Sequence, residues 1–89
     1  MMQFQLITLA GVKLDEPVYE VMIPTTEGQI AVFPSHEPLV AVAQPGAVAV
    51  RRQKTDSDDQ LEYFAISGGV VEINQQRVRI LVDEAEHGD

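Results

Sequence analysis

No stretch of this chain keeps its apolar residues on a 3.6-residue period. They alternate instead in short runs cut by turn residues, and that pattern excludes an amphipathic helix almost everywhere. Gln3 to Leu9 sets Phe4, Leu6 and Thr8 on one side and Gln5, Ile7 and Leu9 on the other, an opening strand with one face buried. Ala10-Gly11 turns the chain. Val18 to Ile23 is β-rich, with Tyr19, Val21 and Ile23 opposing Val18, Glu20 and Met22, and Pro17 ahead of it suits a strand start or an edge. Ile30 to Phe33 and Val40 to Ala43 read as short strands, and Ala47 to Gln53 alternates with Val48 and Val50 inward. Tyr63 to Ser67 follows, and then a last hairpin of Val70 to Asn74 and Arg77 to Asp83 around Asn74–Gln76. Its inward set is Val71, Ile73, Val78, Ile80 and Val82.

The punctuation fits the same reading. Five prolines and six glycines are spread throughout, and short strands with regular turn signals argue an all-β fold, a small antiparallel β-sandwich or barrel. Thr25 to Gly28 is a turn that closes the strand ending near Ile23. Pro34 and Pro38 bracket Ser35, His36 and Glu37. Proline fixes φ and pushes the residue before it into an extended conformation, so this is a stiff, non-helical corner. Pro45-Gly46 suits a type II turn with positive φ at the glycine. Gly68-Gly69 permits a bulge or a close backbone approach. Lys54 to Gln60 has no apolar residue and reads as a solvated loop. The sandwich is expected to span residues 1–84, with 85–89 a short tail.

Eighty-nine residues make one small domain with little stability to spare. There are no cysteines, hence no disulfide framework and no thiolate metal site. No apolar run is long enough for a membrane-spanning helix, and the N-terminus does not read as an export signal. The formal charge is −8, and Arg51, Arg52 and Lys54 are followed at once by Asp56, Asp58 and Asp59. A nucleic-acid partner is therefore not expected.

Candidate chemistry is sparse. His36 and Glu37 are adjacent on an extended segment, so their side chains diverge and cannot share a proton. Asp56, Asp58 and Asp59 start like a calcium loop, but Leu61 stands where that loop needs glycine and Ser67 where it needs glutamate. Gly68-Gly69 lacks the following helix and lysine of a phosphate cradle. No catalytic, cofactor or metal residue is expected. Lys54 on its loop admits an alternative, a lysine-modified β-sandwich carrier domain, although Gln53 and Thr55 are unlike the flanks of a lipoyl or biotinyl attachment site.

Five segments in order carry a resemblance: Val18 to Gly28, Ala31 to Leu39 (AVFPSHEPL), Pro45-Gly46, Ile66 to Ile73 (ISGGVVEI) and Val78 to Glu86 (VRILVDEAE). Together they resemble the epsilon subunit of the F-type ATP synthase, called delta in mitochondria. The resemblance implies a ten-stranded β-sandwich at the foot of the central stalk. It implies a non-catalytic subunit that couples rotation of the c-ring to the gamma subunit for proton-driven ATP synthesis. A bacterial member would lie at the cytoplasmic face of the plasma membrane, held there only through the complex. Thr26, Glu27, Gly28 and Gln29 are expected to face the c-ring. Leu9 and Ala10, with the corner His36, Glu37, Pro38, Leu39, Val40 and Ala41, are expected to face gamma. Three departures stand out. Gln29 replaces an acid common in relatives, Glu37 replaces a small apolar residue, and the sequence stops at Asp89 where relatives continue into two regulatory helices. An inhibitory helical hairpin is therefore expected to be lacking.

Overall fold

The alternation becomes ten strands in a computed structural model that describes residues 1–88. They are β1 (Met2–Thr8), β2 (Gly11–Val18), β3 (Glu20–Thr25), β4 (Gly28–Val32), β5 (Leu39–Ala43), β6 (Gly46–Arg51), β7 (Glu62–Ile66), β8 (Gly69–Ile73), β9 (Arg77–Val82) and β10 (Ala85–Gly88). A single 3₁₀ turn, Asp58–Gln60, interrupts the acidic loop. Neighbours run β10-β7-β6-β3-β5-β8-β9-β1-β2, with β4 on the other edge of β3. β3 and β5 share one residue pair, Thr25 with Ala43. At that point the path folds over into two five-stranded layers with the apolar faces between them. All pairs are antiparallel except β1 with β9, where Gln3 to Ile7 lie beside Arg77 to Leu81.

Period-2 alternation decides what is inside. Met2, Phe4 and Leu6 of β1 are buried, as are Val71 and Ile73 of β8 and Val78, Ile80 and Val82 of β9. Val48 and Val50 of β6 are fully enclosed, in agreement with their inward assignment. Each such side chain contributes roughly 1.5–3 kcal/mol on leaving water.

Five details differ from the sequence reading. Gly11 to Val18 is a separate strand; it carries Lys13, Asp15, Glu16 and Pro17, because it is an outer edge paired only with β1. Pro17 sits inside that strand, tolerated because an edge strand can turn a missing N–H outward. Tyr19 is not on the inward face with Val21; it joins β2 to β3 and meets Phe33 edge-on, ring centres 5.6 Å apart. Gly46 does not have positive φ; a Cβ there would press on Pro24 Cγ at 3.3 Å, so space, not conformation, selects glycine. The segment assigned to a tail forms β10. Ala85 is buried opposite Ile66, and His87 packs edge-on to Phe64 with ring centres 5.0 Å apart. Asp89 lies outside the described residues.

Ion pairs bind the rim. Arg51 donates from Nε to Glu20 Oε1 at 2.8 Å, from Nη2 to Asp58 Oδ1 at 2.7 Å and from Nη1 to the Asp56 carbonyl at 2.6 Å. This folds the acidic loop back on β3, and the two carboxylates raise the guanidinium's affinity for its proton. Arg52 pairs with Glu16 of β2 and Glu62 of β7, and Glu62 also meets His87 Nε2 at 3.1 Å. A chain of charges thus runs from the edge of one layer to the edge of the other.

Gly68 and Gly69 carry the closest approach. Gly68 has φ +98°, and a Cβ there would lie 3.1 Å from the Ala43 carbonyl oxygen. A Cβ at Gly69 would enter the Leu81 carbonyl itself. Gly69→Ala should therefore destabilise by about 3 kcal/mol, the upper part of the range for forcing atoms into packed space. Gly28→Ala, at φ +110° in open surroundings, should cost only about 1 kcal/mol from backbone strain. Urea unfolding checks the order; equal losses would mean that the β8–β9 approach is not tight.

The Glu62 carboxyl is held below its ordinary value of 4.5, first by the Arg52 hydrogen bond. Its stabilisation is therefore complete above pH 4.5 and is lost as pH falls through the depressed folded value. The melting-temperature gap between the parent chain and Glu62→Gln should hold from pH 7 to 5 and shrink below that. A gap unchanged at pH 3 would contradict the pairing.

Candidate functional site

The exposed turns share one local chemistry. Thr25 Oγ1 donates to the Gly28 carbonyl at 2.5 Å and accepts the Glu27 N–H at 3.2 Å. Thr8 Oγ1 likewise donates to the Gly11 carbonyl at 3.3 Å and accepts the Ala10 N–H at 3.1 Å. Both turns close on a glycine with positive φ, Gly28 at +110° and Gly11 at +120°. The shared pattern Thr-x-x-Gly in TLAG and TTEG is a signal the sequence reading did not use. In each turn the threonine hydroxyl satisfies backbone groups, so the exposed residues ride on a short, fixed loop.

Thr26, Glu27, Gly28 and Gln29 all lie exposed at the tip of the β3–β4 hairpin. The tip is anchored: the Thr26 N–H donates to the Val42 carbonyl and the Gln44 N–H to the Pro24 carbonyl, both at 3.0 Å. Leu9 and Ala10 are exposed on the β1–β2 turn, Leu9 at 85 %. The proline corner is pinned by the Ser35 N–H, which donates to the Gln75 carbonyl at 3.1 Å, with Ser35 itself left-handed at φ +68°. His36 is half-buried and its Nδ1–H donates to the Glu37 carbonyl at 2.6 Å. The ring is thus held by its neighbour's backbone, not by the neighbour's carboxylate. Glu37, Pro38, Leu39 and Val40 are exposed and Ala41 half-buried.

These segments are not scattered. The hairpin tip and β5 line one cleft of ≈ 320 Å³, formed by Thr25 to Glu27, Ile30 and Leu39 to Val42. Leu9 lies beyond the far end of the same layer that begins at β5. Between them runs an outward row in direct register, Val42–Val70–Leu81–Ile7–Val12, one residue from each of β5, β8, β9, β1 and β2. Val12, Val42, Val70 and Leu81 are exposed at 64, 55, 42 and 37 %. The next row, Val40–Glu72–Arg79–Gln5–Asp15, is apolar only at Val40 and otherwise polar and self-paired: Arg79 Nε donates to Gln5 Oε1 at 3.1 Å and Gln5 Nε2 to Asp15 Oδ2 at 3.3 Å. The apolar row escaped the sequence reading because only the strand register brings its members together.

The acidic loop offers a different picture. Asp58 is held by Arg51, Asp56 Oδ2 accepts the Gln53 N–H at 3.2 Å, and Asp59 accepts from the Ser57 hydroxyl. The carboxylates thus serve the chain's own donors. Lys54 is exposed on that loop.

Comparison with known proteins agrees with this geometry. The family described as ATP synthase, Delta/Epsilon chain, beta-sandwich domain matches residues 1–88. The ATP synthase epsilon chain of Herpetosiphon aurantiacus is 38% identical over 87 residues, covering 98% of this chain and 60% of that one. The epsilon chain of Synechococcus elongatus is 36% identical over 75 residues, covering 84% and 51%. The chain thus spans only about half to three-fifths of the length of these relatives. A subunit in the cryo-EM structure of Euglena gracilis mitochondrial ATP synthase (OSCP/F1/c-ring) superposes with TM-score 0.86 at 28% identity, over 97% of this chain and 52% of that one. A chain of the Tetrahymena thermophila central stalk and c-ring shares the fold, with TM-score 0.76 at 20% identity over 96% and 65%. Strand order, closed turns, motif order and relatives converge: the chain belongs to the ATP synthase delta/epsilon family and is a β-sandwich domain of the epsilon N-terminal type.

Proposed function

We propose that this chain is a non-catalytic central-stalk subunit of an F-type ATP synthase, coupling rotation of the c-ring to gamma during proton-driven ATP synthesis. Thr26 to Gln29 face the ring, and Leu9, Ala10 and His36 to Ala41 face gamma. In a bacterial cell it lies peripherally at the cytoplasmic face of the plasma membrane, reaching the membrane only through the complex. The observation that carries this reading is the placement of both sets of residues on short turns braced by backbone bonds. A coupling element must pass on torque without yielding, and loops with few internal bonds would yield.

Electrostatics at the tip give the test. Glu27 supplies the one charge among Thr26 to Gln29, so Glu27→Lys should weaken capture of the c-ring about tenfold, or ~1.4 kcal/mol. His36→Asp should do the same for gamma. Melting temperature should stay within about 2 °C of the parent, because neither side chain contributes to the core. Pull-down from a reconstituted stalk with parallel calorimetry measures both. A folded parent chain that captures neither gamma nor the c-ring refutes the proposal, and variants that unfold assign these residues a structural role instead.

A further inference from the structure

Among the described residues, four strands present an edge to solvent: β2 and β10 at the ends of the path, β4 beside β3, and β5, which touches β3 only at Ala43. Such edges invite pairing with other chains unless they are short, charged or interrupted by proline. β2 carries Lys13, Asp15, Glu16 and Pro17, and β10 is short and holds Glu86 and His87. β4 runs into Pro34 and keeps only Gln29 as a polar guard. β5 reads Leu39-Val40-Ala41-Val42-Ala43, with no charge and no proline.

Its backbone is open as well. Along an antiparallel strand, alternate residues aim their N–H and C=O at opposite edges. Val42 accepts the Thr26 N–H, so its groups face the β3–β4 hairpin and not β8. Val40, two residues back, faces the same way. Past Thr26 the hairpin diverges, and the Val40 N–H and C=O have no backbone partner on that edge among the described residues. The space they face is the ≈ 320 Å³ cleft, and Glu27 is the one charged residue lining it.

We propose that the β5 edge at Val40 accepts an added strand from another polypeptide. That segment is extended and carries alternate apolar side chains that continue the outward row at Val42; gamma supplies it, because the corner that leads into β5 is the part of the chain turned toward gamma. A second copy of this chain is the poorer occupant. Two chains of formal charge −8 would repel each other on approach. The inference rests on gamma being the partner and adds how it is held, by backbone hydrogen bonds as well as side-chain contact.

The test is hydrogen exchange at Val40 and Val42 in the 89-residue chain, free and with purified gamma, together with two substitutions. Val40→Pro removes the N–H from the open edge, whereas Val40→Thr keeps it and trims the apolar surface. The expected result is exchange slowed about tenfold or more at Val40 in the complex. Affinity for gamma should fall about tenfold for Val40→Pro and less than about threefold for Val40→Thr. A complex that forms with both amides unprotected, or equal losses for the two variants, overturns strand addition and leaves the coupling role intact. Failure of the parent chain to bind gamma overturns both. A self-dimer in sedimentation that Val40→Pro dissolves assigns the edge to a second copy and overturns the choice of partner. Should Val40→Pro not fold, exchange in the unaltered chain decides alone.

Discussion

Everything in this domain hangs on one residue pair. β3 and β5 touch only at Thr25 and Ala43, and there the strand path passes from one layer to the other. Two hydrogen bonds of 3.0 Å, from Thr26 to Val42 and from Gln44 to Pro24, flank the pair. Around it the backbone is too crowded for side chains: a Cβ on Gly46 would meet Pro24, and one on Gly68 would meet the Ala43 carbonyl and Pro45. Two prolines and two glycines therefore converge on the place where the sheet folds over. Proline stiffens its own segment while glycine lets the neighbour approach, and the combination makes a close, inflexible fold-over.

That junction also explains why the candidate surfaces lie where they do. The β3–β4 hairpin extends directly from Thr25, so its tip projects from the point where the two layers join. β5 extends from Ala43 in the other layer. Because the two share a root and then part, a cleft opens between them, bounded by the segments that the family resemblance assigns to two different partners. Leu9 and Ala10 are placed independently by their own Thr-x-x-Gly turn, at the opposite side of the β5 layer. The outward row from Val42 to Val12 then spans the distance between them.

Much of this was legible in the sequence. The inward set of the last hairpin was readable to the residue, though its strand ends shift by one to Gly69–Ile73 and Arg77–Val82, because Val71, Ile73, Val78, Ile80 and Val82 keep strict alternation on both strands around a polar turn. Gly68-Gly69 was recognisable as a close approach for the same reason: two adjacent glycines inside a strand pattern leave few other uses. What escaped was whatever depends on position in the sheet. β2 and β10 carry too few buried residues to announce themselves, since an edge strand meets water on more sides. Gly46 was assigned to a turn conformation, but the reason for it is Pro24, far away in sequence. Glu20 was grouped with Val18 and Met22 on one strand face, but alternation alone gave no sign that it would be buried to 8 % exposure, paired with Arg51 of the neighbouring strand. For the candidate site, each segment could be named from its motif, whereas the meeting of the hairpin tip with β5 in one cleft could not. Convergence is a property of register, and register is written in pairs of strands, not in single ones.

The exposed apolar row is the part that folding alone does not explain. The core is already closed by Phe4, Leu6, Ile23, Ile80 and the inward valines, all fully buried. The outward valines add nothing to it, and on a small domain they are a hazard for aggregation. The neighbouring row shows that β8, β9, β1 and β2 readily take charged and amide side chains at equivalent positions. Solvent exposure therefore does not account for the difference between the two rows, and neither does strand propensity, since threonine would serve a strand as well. What distinguishes the apolar row is that it runs from β5, next to the hairpin tip, to Val12 just past the Leu9–Ala10 turn, so that one continuous apolar stripe joins two turns that are each braced by a threonine hydroxyl.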